Sequence, residues 1–230
     1  MTNIFKTMVE LQHKFNEQTV ENYLDKNLNW NSPIIMESGE LLDSLGVKWW
    51  KKQIPDMDNV KVEAIDLLHF VISDAIQLLH NCSGEIDLNL IAGTFEDHFN
   101  NSDGYLDGLS LNKLVDELNY NRWNRFIIMK KIFKDLNMSN EDVYIAYIVK
   151  NCLNKFRQDN GYKDGSYIKD WNSKEDNVIA YEMANEWGAD EKLFEQLYLD
   201  LTTYYNEEVL KNKTKFAIDN LDYFKTQTVN

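Results

Sequence analysis

Nine glycines and two prolines in 230 residues are under half the usual share of roughly 12%. Chain reversals between short strands lean on these two residues. A chain so poor in both is ill suited to a many-stranded sandwich or barrel, and its elements should be long helices. Hydrophobic residues make up 43% and aromatics 13%, enough for a sizeable core and unlike a disordered chain. The length suits one large domain, and we read 1–230 as a single domain with a mobile insert at 83–138.

Composition also narrows the partners. The net charge of −14 repels a nucleic-acid backbone, so no nucleic acid is expected, whereas it suits divalent cations, which need carboxylate oxygens. No run of about 18 apolar residues is present, so no membrane partner is expected. The first residues lack the apolar block of a signal peptide. Two cysteines, Cys82 and Cys152, exclude a disulfide framework and point to a reducing, cytoplasmic location.

Apolar spacing predicts helices over 3–22, 33–46, 59–81, 110–136, 140–159, 174–187, 190–211 and 213–224. Ser32 and Pro33 read as an N-cap and first helical residue, and Ser139 with Asp142 reads as a capping arrangement. The stretch 59–81 is apolar almost all round and should be central. Residues 83–110 carry Gly84, Gly93, Gly104 and Gly108 and read as an irregular insert or lobe boundary. The fold class is all-α: a helical bundle with a four- or five-helix core and a smaller mobile helical lobe.

Two carboxylate pairs stand out. Glu37 and Glu40 are three apart on one predicted helix, and Glu63 and Asp66 are three apart on the next. Residues three apart share a helix face. In so acidic a chain such a step is usually a solvated face. The second pair sits in the most apolar helix, beside Ile65, Leu67, Leu68 and Phe70, where an unpaired carboxylate is costly. Four converging acids would repel one another unless a cation lies among them, and Mg²⁺ fits an all-oxygen set that also takes phosphates. Asp43 extends the first pair as a structural acid.

Residues 150–177 concentrate Lys150, Lys155, Arg157, Lys163 and Lys169, while Asn151, Asn154, Arg157 and Gln158 share one helix face. Cations and amides together suit a polyphosphate; the plain alternative is a surface patch that balances nearby acids. Gly161 and Gly165 bracket Tyr162 and Lys163 as if shaping a loop.

These motifs together resemble a known family, the dimeric dUTPases of the all-α nucleotide pyrophosphatases (the dUTPase/dCTPase, MazG-like superfamily). E-x-x-E stands at Glu37–Glu40 and, 22 residues on, E-x-x-D at Glu63–Asp66. Around them stand M-E-x-x-E-L-x-D-S at 36–44, E-x-x-D-x-x-H-F at 63–70, K-N-x-L-N-x-F-R-Q-x-x-G-Y-K-x-G-x-Y at 150–167, E-D-N at 175–177 and L-Q-x-x-x-N at 11–16. The resemblance spans the chain and is weakest over about 82–138. It implies a nucleotide pyrophosphohydrolase that converts dUTP, and dUDP too, with a metal-activated water attacking the β-phosphorus. It implies that Glu37, Glu40, Glu63 and Asp66 ligate Mg²⁺, with Glu37 as the catalytic residue that orients or deprotonates the water. It places Gln12, Asn16, Trp50 and His69 around uracil and sugar, and Asn154, Arg157, Tyr162, Lys163 and Lys169 at the phosphates. Asp66 and Asn177 also meet the deoxyribose in this reading. It further implies a homodimer, and phage-borne relatives add a regulatory protein as partner. The family's W-K-x-W is Val47-Lys48-Trp49-Trp50 here, which keeps a dCTP or dual dCTP/dUTP pyrophosphatase open as the alternative. A helical interaction protein without catalysis is the other. Without the resemblance, His69 reads as a core histidine, and Trp49 and Trp50 as core or interface anchors.

Overall fold

The computed structural model describes residues 3–101 and 104–211. The described residues form nine α-helices, short 3₁₀ turns, a final π-helical turn and a two-stranded hairpin, so the fold is all-α. The chain divides into two compact units, 1–147 and 148–230.

The first unit holds α1 (Ile4–Thr19), α2 (Asn31–Leu45), α3 (Met57–Ser83), α4 (Leu88–Asn100), α5 (Leu111–Tyr120) and α6 (Arg125–Asp135), with the first part of α7 (Asn140–Asp159). α3 is its axis: Val60, Ala64, Ile65, Leu67, Leu68, Val71, Ile72 and Ile76 are all buried, as expected of a helix apolar nearly all round. Asp56 caps it by accepting from the Asn59 backbone N–H at 3.0 Å, and Gly84 ends it at φ 76°. α2 packs along α3 and closes at Gly46, φ 75°. There the Val47 N–H reaches the Leu42 carbonyl and the Gly46 N–H that of Asp43, a Schellman end that needs a left-handed residue.

Three local expectations change. α2 starts at Asn31, with Trp30 as its N-cap. Asn29 does the work assigned to Ser32: its Oδ1 accepts from the Asn31 N–H at 3.2 Å and its Nδ2 donates to Ser32 Oγ at 3.0 Å. Pro33 still falls in the first turn, where no backbone N–H is required.

Secondly, 83–110 is not irregular throughout, because α4 occupies 88–100. Ile91, Ala92, Phe95 and Phe99 make one buried face. Phe5 of α1 meets Phe95 and Phe99 edge-on at 4.9 and 5.6 Å, and Phe95 stacks on Phe126 at 4.6 Å. Aromatic burial of this kind outweighs the roughly 1 kcal/mol helix penalty of Gly93.

Thirdly, 110–136 is two helices. They part at Asn121, where a 3₁₀ turn at Arg122–Asn124 and the first residue of α6 bring Arg122 and Arg125 onto the buried Asp74. Arg122 grips it through Nε and Nη2 at 2.9 and 2.5 Å, and Arg125 through Nη1 at 2.6 Å. The Ser139–Asp142 cap of α7 forms as read: each backbone N–H donates to the other's side chain, at 2.8 and 3.1 Å.

The second unit holds the rest of α7, the hairpin β1 (Asp170–Trp171) and β2 (Lys174–Glu175), α8 (Asp176–Trp187), α9 (Leu193–Tyr204) and the π turn Tyr205–Leu210. Asn172 and Ser173 turn the hairpin at φ 52° and 70°, the left-handed pair a two-residue hairpin loop demands. An aromatic core of Phe156, Tyr167, Trp171 and Tyr205 seals this unit, with Phe156 edge-on to Trp171 at 5.8 Å and to Tyr205 at 5.5 Å. The helix expected at 213–224 lies outside the described residues.

Candidate active site

The first unit gathers three acids. Glu37 of α2 and Glu63 and Asp66 of α3 each bring a carboxylate oxygen, and these atoms lie within 4.8 Å of one another. The three-residue step on α3 puts Glu63 and Asp66 on one face, and the packing of α2 on α3 supplies Glu37. Glu63 is buried, and the other two are half-buried. Asn59, one turn before Glu63, donates Nδ2 to Glu63 Oε1 at 3.0 Å and to Ser44 Oγ at 2.7 Å, which fixes the carboxylate's orientation. Three converging carboxylates repel unless a cation is present. An all-oxygen donor set of this kind fits a hard divalent cation rather than a soft one.

Glu40, one turn further along α2, is exposed and stands outside this trio. Asp43 is exposed too, and it anchors the loop after α2. It pairs with Lys48 and accepts from Gln53 Nε2 at 2.7 Å. The Lys48 hydrogen bond, followed by that from Gln53, holds its carboxyl below the usual aspartate range.

His69 follows Asp66 by one turn of α3, and it belongs to a buried polar network with Gln12 and Asn16 of α1. Gln12 Oε1 meets His69 Nδ1 at 2.7 Å and the Tyr147 hydroxyl at 2.6 Å. Gln12 Nε2 donates to Asn16 Oδ1 at 2.9 Å, and Asn16 Nδ2 donates to Ser73 Oγ at 3.0 Å. A carbonyl oxygen can only accept, so His69 carries its proton on Nδ1 toward Gln12. Trp50 is not in this network. It is 66% exposed and lies edge-on to Trp49 at 5.6 Å.

The second unit gathers the basic and amide residues. Arg157 of α7 forks onto Asp176, Nε and Nη2 each at 2.8 Å. Tyr167 donates its hydroxyl to the same carboxylate at 2.8 Å. Burial works against the Arg157 charge, but the hydrogen bonds and charge of Asp176 outweigh it and raise its pKa. The Tyr162 ring lies 5.8 Å from the Arg157 guanidinium, a cation–π distance.

The 160–166 loop depends on Gly161, at φ +89°, where an added Cβ would sit 1.9 Å from Ser166 Oγ. Tyr162 and Lys163 are exposed on this loop, and Asn154 is half-buried on α7. Lys169 is exposed and lies 3.6 Å from Glu175. Asn177 is half-buried in the first turn of α8, and its Oδ1 accepts from the Val178 N–H at 2.8 Å.

Sequence reading missed Asn59, Ser73 and Tyr147 as supports of the site residues. Asn59 and Ser73 stand four residues from Glu63 and His69 on one helix, a step that could have flagged them. Tyr147 comes from far along the chain and carries no local signal.

No helix among the described residues is long and apolar enough to cross a membrane. No curated protein compared with the chain matches it. The family model described as dUTPase matches residues 4–162, a span that contains the acid trio, the Gln12 network and Arg157. Members of that family generally use a divalent metal. The chain belongs to the all-α dUTPase family, and its activity is that of a dUTP diphosphatase, the hydrolysis of dUTP.

Proposed function

We propose that Mg²⁺ is the cation of this dUTPase, held by Glu37, Glu63 and Asp66 with Glu40 as the fourth acid, and that dUTP and dUDP are both substrates. The convergence of three carboxylate oxygens within 4.8 Å carries the reading. When bound, Mg²⁺ would neutralise phosphate charge and make a coordinated water more acidic.

The chain's own residues do the rest. Glu37 orients the attacking water and takes its proton, as a half-buried carboxylate with two acidic neighbours is suited to do. Asn59 holds Glu63 in place. Gln12, Asn16 and His69 offer amide and imidazole groups to the base and sugar, and Asn177 meets the deoxyribose. Asn154, Arg157, Tyr162, Lys163 and Lys169 face the phosphates and stabilise charge that develops on the leaving oxygens. Attack at the β-phosphorus releases dUMP and places the new oxygen in pyrophosphate.

A homodimer belongs to the same proposal. Ile35, Met36, Trp49, Trp50 and Ile54 are between 61% and 90% exposed, an apolar surface suited to a second copy. In that assembly Trp50 would be covered and available to the base. Glu37→Gln tests the central role: nucleotide binding should persist while turnover falls at least about a hundredfold. Near-normal turnover would remove Glu37 as the base.

A further inference from the structure

We propose that a hollow bounded by α3, α4 and residues 122–126 binds an apolar monocarboxylate, with the ligand's head group on Arg122. The hollow has a volume of about 270 Å³. Val71, Leu78, Leu79, Ile91 and Phe126 give it an apolar wall, and the exposed Cys82 lies on it. It shares no residue with the acid trio or with the Gln12 network.

Two observations select the ligand's charge. Among the described residues Asp74 is the only acid on the wall, against Arg122 and Arg125, so this lining is formally positive in a chain of net charge −14. A second, amide-rich hollow of about 320 Å³ uses the same Asp74 and Arg122 as lining, with Asn27, Asn29, Asn31 and Asn81, and holds no further acid among the described residues. The two arginines differ in what remains available. Arg125 is buried, and each of its three nitrogens has a partner: Nη1 on Asp74, Nη2 on Asn31 Oδ1 at 2.7 Å, Nε on the Leu118 carbonyl at 3.1 Å. Arg122 spends Nε and Nη2 on Asp74, while its Nη1 has no partner among the described residues, and its side chain is 37% exposed. A carboxylate on Nη1 gains a charge-assisted hydrogen bond while its apolar chain leaves water.

Size sets the rest of the ligand. An apolar cavity of about 150 Å³ takes benzene, and by proportion this one takes roughly ten non-hydrogen atoms. Octanoate has that size and charge.

The test follows the rate at which Cys82 of the full chain reacts with a thiol reagent, with octanoate, octanol or octylammonium present, and needs no nucleotide. Octanoate should slow the reaction saturably, by about tenfold near ten times its Kd. Octanol should bind about tenfold more weakly for want of the charged hydrogen bond, and octylammonium more weakly still. Arg122→Gln should erase the octanoate preference. Ala75→Leu fills the hollow and leaves Asp74 and both arginines in place, so it should abolish protection by either ligand while circular dichroism shows an unchanged fold. No protection by octanoate would overturn the proposal. Equal protection by all three would also overturn it, because the hollow would then be apolar without reading charge. dUTP turnover does not enter either result.

Discussion

His69 and Tyr147 stack with ring centroids 4.0 Å apart and planes inclined by 21°, and both hydrogen-bond to one atom, Gln12 Oε1. The Tyr147 hydroxyl also lies 3.1 Å from the Met8 carbonyl, which shares its single proton as the longer branch. A residue far along the chain thus fixes both the amide of Gln12 and the plane of His69.

Tyr147→Phe keeps the ring stack and removes the hydroxyl. Stability should fall by about 1 kcal/mol, the net value of a buried neutral hydrogen bond, and KM for dUTP should rise more than kcat falls. Urea unfolding and steady-state kinetics read the two effects. An unchanged KM would separate Tyr147 from base and sugar recognition.

Asp74 and Arg125 are each 3% exposed and bonded to each other. Asp74→Ala leaves a buried guanidinium without its anion, which should cost about 3–5 kcal/mol. The acid trio is untouched, so the folded variant should keep its kcat when assayed well below its Tm. Stability within about 0.5 kcal/mol of the parent would show that Arg125 finds other partners.

His13 gives the first unit a pH dependence. Its Nδ1 lies 2.9 Å from the hydroxyl of the fully buried Tyr23. Burial, partly opposed by Glu17, sets its pKa below 6.5. Burial raises that of Tyr23 to about 12, against a lowering by Asn16. Both partners are uncharged near neutral pH, and protonating the half-buried His13 places a charge where burial disfavours it. The folded pKa is the lower one, so this stability is complete above 6.5 and is lost as pH falls below it. His13→Gln should flatten the fall in unfolding free energy between about pH 7 and pH 5. Parallel curves would contradict the assignment.

The two cysteines should react differently. Cys82 is exposed and Cys152 buried, and burial pushes the Cys152 thiol well above its usual range. One thiol per chain should titrate in the native state and a second only after denaturation. Two fast native thiols would contradict the packing around α7.

Helix content and the carboxylate steps on α2 and α3 were legible from local spacing, because both depend on residues three and four apart. α4 was hidden by counting glycines: Gly93 has nothing within 4 Å of an added Cβ and faces no packing conflict, while Phe95 and Phe99 carry the face that matters. The break at Asn121 depends on Asp74, 47 residues away along the chain, which no local window contains. In the same way, the fork of Arg157 on Asp176 joins positions 19 apart. Composition showed a cationic block there but not which acid it would meet.

In the proposed reaction the trio Glu37, Glu63 and Asp66 acts through a divalent cation on a uracil nucleotide. The most direct measurement is product analysis with dUTP, dCTP, dTTP and UTP, each with Mg²⁺ and after chelation, for the parent chain and Glu63→Gln. Conversion of dUTP to dUMP and pyrophosphate should stop on chelation, return with added Mg²⁺ and be lost in the variant. Turnover of dUTP that survives both chelation and Glu63→Gln would contradict a metal-binding role for the trio.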